Sequence, residues 1–137
     1  FELLISTMYK SIEDVQVMLS QYNVFCNVLV VVQGDVEGYQ ELLMEKQIVR
    51  VLFTKERGLS KSRNLAISYC NADYAFIMDD DVDIDCYALE QLLSQAIKDS
   101  SEVFKCRFLY ENGHSSKPKF NSTYIHNFFT FASVSSI

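Results

Sequence analysis

Apolar blocks and stretches of helical periodicity take turns along this chain. Glu2 to Ser6 is a short apolar run that leaves through Thr7-Met8-Tyr9-Lys10, the pattern of a strand and its exit loop. Ser11 stands where a helix N-cap is favoured, and Asp14, three residues on, is its capping-box partner. Ile12, Val15, Met18, Leu19 and Tyr22 then fall on one helical face. Asn27 to Gln33 is β-branched and uninterrupted, a second strand closed by Gly34-Asp35. Val36 to Lys46 reads as a helix with Tyr39, Leu42 and Leu43 on its apolar side, and Ile48 to Thr54 as a third strand. A helix over Leu65 to Tyr69 follows, with Ser60 as its N-cap.

Tyr74-Ala75-Phe76-Ile77-Met78 is apolar without alternation, so it predicts a fourth strand buried on both faces. Leu89, Leu92, Leu93, Ala96 and Ile97 mark a helix after it. Glu102 to Tyr110 alternates, with Phe104, Cys106, Phe108 and Tyr110 opposite Lys105 and Arg107; this predicts a half-exposed strand near a sheet edge or domain seam. Glu111 to Asn121, with Gly113 and Pro118, is a loop, and Tyr124 to Val134 a last strand.

Strands alternating with helices predict a three-layer α/β/α fold, with a mainly parallel sheet, right-handed crossovers and helices on both faces. In such a sheet the chain order reverses at one point, and ligands settle there, at the carboxyl ends of the strands. With the predicted strands in the order 3-2-1-4, Thr7 and Tyr9 would face Asp79-Asp80-Asp81 across that crevice, with Gln33 to Asp35 beside them.

The length of 137 residues, with 49% hydrophobic and 22% charged, describes one domain with a real core. A net charge of −6 with no offsetting Lys/Arg cluster argues against a nucleic-acid or anionic-membrane surface. Cys26, Cys70, Cys86 and Cys106 lie far apart with no CxxC pair, which implies reduced thiols in a cytoplasmic protein and no zinc site. There is no signal peptide or apolar run of membrane length. Phe1 opens inside a strand-like run and the chain stops after an aromatic segment, so the sequence reads as a portion of a longer protein. Phe128, Phe129 and Phe131 then read as surface that a further segment would cover; His114 and His126 are separate from the acid cluster, and His126, within a strand pattern, reads as structural.

Three adjacent carboxylates at the end of a buried strand repel one another unless a positive charge sits among them, and a divalent cation with oxygen ligands is the simplest compensation. The plainer alternative is a solvated loop whose Asp85 caps the next helix. Arg57, Lys61 and Arg63 gather around Gly58 and Ser60 at a helix start, where the dipole is already positive. They mark either an anion site or a solvated face. A calcium loop is a rival, since Asp79, Asp81, Asp83, Asp85 and Glu90 match its ligand spacing; Ile84, however, replaces the glycine that such a loop needs. A non-catalytic, receiver-like α/β module binding Mg²⁺ in an acid pocket is another, although the first strand ends in Ser6-Thr7 without acids.

Gly58-Leu59-Ser60-Lys61-Ser62-Arg63-Asn64-Leu65-Ala66, a helix, and then Tyr74 to Met78 ending in Asp79-Asp80-Asp81 resembles the nucleotide-binding half of family 2 glycosyltransferases. The resemblance spans nearly the whole chain. It implies the GT-A, nucleotide-diphospho-sugar transferase fold and a metal-dependent, hexosyltransferase-type transfer from a nucleotide-diphosphate sugar to an acceptor hydroxyl, in polysaccharide or glycan synthesis. It places Thr7, Tyr9, Asp35, Arg57, Lys61, Asp79 and Asp80 against the donor, a UDP-sugar in first place. The DxD-type acids Asp81 and Asp79 would hold Mn²⁺ or Mg²⁺. Two departures stand out: the first-strand proline is absent, and Gln33-Gly34-Asp35 replaces the usual pair of aspartates. The family's acceptor site and catalytic base lie downstream of these residues, so no catalytic base is assigned.

Overall fold

The computed structural model describes residues 1–22, 24–82 and 84–99, and the backbone of 103–105 and 130–133. Its elements run β1 (Glu2–Met8), α1 (Ile12–Ser20), β2 (Asn27–Gln33), β3 (Gly38–Met44), β4 (Gln47–Thr54), α2 (Leu59–Ser68), β5 (Tyr74–Asp79), α3 (Cys86–Lys98), β6 (Val103–Lys105) and β7 (Thr130–Ser133). They form one sheet in the order β3-β4-β2-β1-β5-β7-β6. The four apolar blocks β4, β2, β1 and β5 are parallel neighbours, as the 3-2-1-4 order requires. The margins are antiparallel: β3 on β4 at one side, β7 on β5 and β6 on β7 at the other. β6 therefore occupies the edge expected for the alternating segment.

Successive side chains of a strand point to opposite faces, so each apolar block feeds two cores. On one face Leu3, Ile5, Val28, Val30, Val32, Val49, Val51, Phe76 and Met78 pack against Val15, Met18 and Leu19 of α1 and Leu89 and Leu93 of α3. On the other, Leu4, Leu29, Val31, Leu52 and Ala75 lie under Ala66 of α2. Helices cover both faces, which makes the three layers. Phe76 is among the largest fully buried side chains; truncating such a residue to alanine typically costs about 3–5 kcal/mol.

The helix starts follow local chemistry. Ser11 Oγ accepts the Asp14 N–H at 3.1 Å, and Asp14 Oδ2 accepts the Ser11 N–H at 2.9 Å, a complete capping box on α1. Asp85 Oδ1 takes the Tyr87 and Ala88 N–H groups at 2.9 and 3.2 Å and caps α3. α2 starts earlier than expected: Gly58, at φ 122°, is its N-cap, and Ser60 lies inside the first turn. Only glycine occupies that φ readily.

The helix expected over Val36 to Lys46 is instead β3, the first strand of a hairpin with β4. Leu42 and Met44 turn inward onto the core while Glu41, Leu43 and Glu45 face solvent, a period of two. The turn is Glu45-Lys46, with Glu45 at φ 53°. Neither residue is the Gly, Asn or Asp that normally announces a two-residue hairpin.

Cys26 and Cys70 are half-buried, and Cys86 is buried, all as free thiols. Among the described residues no helix is long and apolar enough to cross a membrane. Asp83, Cys106, the loop 111–121, His114, His126 and Tyr124 to Phe129 lie outside the described residues.

Candidate functional site at the carboxyl ends of the strands

The parallel register of β1 and β5 sets Ser6 opposite Asp79. One residue further on, Thr7 Oγ1 donates to Asp80 Oδ2 at 2.5 Å. Lys10 Nζ approaches the same carboxylate oxygen at 3.5 Å, and the Tyr22 hydroxyl donates to the Asp80 carbonyl at 3.4 Å. The tip of β1 and the acids after β5 therefore share one crevice. Strand order alone accounts for this, because β1 is the point where the chain reverses direction across the sheet.

The end of β2 closes the crevice on the other side. Gln33 accepts the Tyr9 N–H on its carbonyl at 2.9 Å, and Gly34 N–H donates to the Thr54 carbonyl of β4 at 2.9 Å. Tyr9 leaves β1 at φ 53°, which carries its exposed ring past the strand end. The Arg57 guanidinium lies over that ring, 5.0 Å from its centroid, and donates to the Tyr9 hydroxyl. Its Nη2 also meets Asp35 Oδ1 at 2.7 Å. Tyr9, Asp35 and Arg57 are thus one surface cluster, held by a cation–π contact and an exposed ion pair that is individually weak.

α2 docks onto the strand tips from above. Ser62 Oγ donates to Ser6 Oγ at 2.8 Å, both buried. Arg63 Nη2 spans the two carboxylate oxygens of Asp79 at 3.0 and 3.1 Å. Its Nε is buried and has no partner among the described residues. Lys61 is exposed in the first turn of α2, whose N-cap Gly58 offers no side-chain acceptor. Uncapped N–H groups and a lysine at a helix start suit an anion.

Charge is matched locally: Arg57 faces Asp35, Arg63 faces Asp79 and Lys10 faces Asp80. Asp81 is exposed and makes no hydrogen bond or ion pair among the described residues. Also among them, no three His, Cys, Asp or Glu side chains converge into a preformed metal cage. The calcium-loop rival loses two of its ligands to other work, since Asp79 is held by Arg63 and Asp85 caps α3. The segment before it is strand β5 rather than a helix. A receiver-like module has the strand order 2-1-3-4-5, which this sheet does not follow.

The expected donor residues lie at these strand tips, the loop after β4 and the start of α2: Thr7 pairs with Asp80, Tyr9, Asp35 and Arg57 form a second cluster, Asp79 is held by Arg63, and Lys61 and Asp81 are exposed. Ser6, Lys10, Gln33 and Ser62 are further members. Lys10 is legible only as a cation just past a strand tip; Ser62 stands in the Gly58 to Ala66 motif and Ser6 at the tip of the first strand, but nothing in the sequence pairs the two.

No curated protein matches the chain. The profile of glycosyl transferase family 2 matches residues 7–135, from the tip of β1 to just beyond β7. With that match over almost its whole length, and with the acids of β5 set against the tip of β1 in an α/β/α sheet, the chain belongs to glycosyl transferase family 2 and carries its GT-A, nucleotide-diphospho-sugar transferase fold.

Proposed function

We propose that this chain binds a nucleotide-diphosphate sugar, a UDP-sugar in first place, for metal-dependent hexosyl transfer to the hydroxyl of a glycan acceptor. The observation that carries the reading is the contact between Thr7 and Asp80, which brings the tip of β1 and the acids after β5 into one crevice. The exposed ring of Tyr9, with Asp35 beside it, offers a face and an acceptor for the base. Asp80, held by Thr7 and Lys10, would accept a hydrogen bond from a ribose hydroxyl. Arg57 and Lys61 supply cations for the diphosphate.

The donor set fits Mn²⁺ or Mg²⁺. Mg²⁺ is commonly held by one or two carboxylates, its other positions filled by water and substrate phosphates, so a preformed cage is not needed. Among the described residues nothing holds either oxygen of Asp81, whereas Asp79, expected beside it, already carries Arg63 on both of its own. When bound, the ion neutralises charge that develops on the departing diphosphate. Thr7 and Arg63 keep Asp80 and Asp79 in fixed orientations, and that fixes the backbone from which Asp81 projects.

Calorimetry of UDP, GDP and ADP with Mn²⁺, on the wild type and Asp81→Asn, tests this. The expectation is metal-dependent binding of one diphosphate, weakened about tenfold or more in the variant, at least what a metal site loses when a partner of its ligands is removed. Equal binding by both proteins would remove Asp81 from the metal site. Calcium binding without any nucleotide would favour the acid-loop module instead.

A further inference from the structure

The structure assigns Gln33 a role as a positioning residue: it ties the loop carrying Arg57 to the turn carrying Tyr9, and so sets the gap between two of the proposed donor-binding groups. The inference rests on the donor-site reading above and adds a residue to it.

Gln33 ends β2 and is only 4% exposed. Its backbone carbonyl accepts the Tyr9 N–H at 2.9 Å. Its side-chain Oε1 accepts the Gly58 N–H at 2.6 Å. A backbone N–H needs an acceptor, so this bond settles which end of the amide faces Gly58. One residue therefore holds both sides, through two different atoms.

Gly58 needs the help. As the N-cap of α2 it has no side chain to secure its own loop, and at φ 122° it sits where few other residues are stable. Arg57 immediately precedes it. Anchoring the Gly58 N–H fixes where the Arg57 side chain starts, and Arg57 must start there to cover the Tyr9 ring and reach Asp35. The bond is part-buried, its acceptor on the covered Gln33 side chain and its donor on the exposed Gly58, so water replaces a lost acceptor without holding the loop in place.

The test compares Gln33→Met, similar in length and volume but without an acceptor, with Gln33→Glu, which keeps one. Two readouts are taken: amide hydrogen exchange at Gly58, and UDP–Mn²⁺ calorimetry. In Gln33→Met, exchange at Gly58 should rise about tenfold or more and UDP affinity fall about tenfold, the scale of one lost hydrogen bond. Gln33→Glu should restore both. In an Arg57→Ala background, Gln33→Met should change UDP affinity less than about twofold, because sites that act through one another do not add; a merely structural role would still show its full effect there. Unchanged Gly58 exchange in Gln33→Met, a failed rescue by glutamate, or full additivity with Arg57→Ala would each overturn the assignment. If Gln33→Met does not fold, Gln33→Asn, too short to reach Gly58, replaces it with the same expectations. Should the wild type bind no nucleoside diphosphate, the donor-site reading fails and the positioning of a donor site with it, while the exchange measurement still decides whether Gln33 holds Gly58.

Discussion

Thr7 Oγ1 and Asp80 Oδ2 meet at 2.5 Å across 73 positions of sequence. The bond joins two parallel strands at the end where ligands of such sheets collect. Thr7 is buried and Asp80 half-buried, so the hydroxyl decides where the carboxylate points. Thr7→Val keeps the shape and deletes the donor. Expected is a stability loss of about 1–2 kcal/mol in urea denaturation and weaker UDP–Mn²⁺ binding. Thr7→Ser should retain most of both. A valine variant binding as tightly as the wild type would mean that Lys10, at 3.5 Å, is enough to hold Asp80.

Arg63 reaches both Asp79 oxygens with its single nitrogen Nη2, at 3.0 and 3.1 Å, and its side chain is only 14% exposed. Lysine keeps the charge but carries a compact, more strongly hydrated ammonium that is less suited to this covered position. Arg63→Lys is expected to lower stability by about 1 kcal/mol, and Arg63→Met by about 2–3 kcal/mol, because methionine leaves Asp79 unpaired beside Asp80 and Asp81. Thermal unfolding monitored by circular dichroism checks the order. If both variants melted like the wild type, the pair would be no more than a surface contact.

Much of this arrangement was legible before any coordinates. Four unbroken apolar blocks imply buried parallel strands, and the alternation with helices implies their covering layers. The acids after Met78 and the tip at Thr7 follow from those strands once their order is guessed. What is not legible there depends on contacts between distant residues. Ser62 reaches Ser6 over 56 positions and Gly58 reaches Gln33 over 25, and neither leaves a local pattern. The β3 hairpin escaped for another reason. Tyr39, Leu42 and Leu43 satisfy a helical period, while the true period of two is carried only by Leu42 and Met44, and the Glu45-Lys46 turn has no turn-forming residue to break the tie.

The capping box of α1 gives the chain a pH response away from the site. The Asp14 carboxyl is held below its ordinary 3.8 chiefly by the Ser11 backbone N–H, then by the Ser11 side chain, with Lys10 adding a smaller pull. A lowered folded-state pKa means stability that is fully present above the ordinary value and lost as pH falls through the folded one. The difference in unfolding free energy between wild type and Asp14→Asn should therefore be constant from neutral pH down to about pH 4 and shrink below it. A difference that stayed flat through pH 2 would show that the carboxylate charge adds nothing to the cap.

At the opposite ends of the strands, Glu2 of β1 and Arg50 of β4 reach across β2 and meet at 2.7 Å, their side chains 3% and 8% exposed. The second Glu2 oxygen accepts the Asn71 N–H at 2.9 Å, just before β5. One carboxylate thus fastens β1, β4 and the approach to β5. A buried pair of this kind is costly to break from one side, because the remaining charge cannot be hydrated. Arg50→Met is expected to cost about 3–5 kcal/mol. The double variant Glu2→Gln/Arg50→Met removes the stranded charge and keeps an oxygen for Asn71, so it should unfold at higher urea than Arg50→Met alone. Additive losses would mean that water already reaches Glu2. A rise in stability from Arg50→Met to the double variant instead identifies the uncompensated carboxylate as the cause, and a double variant as stable as the wild type would show that the pair is no source of net stability.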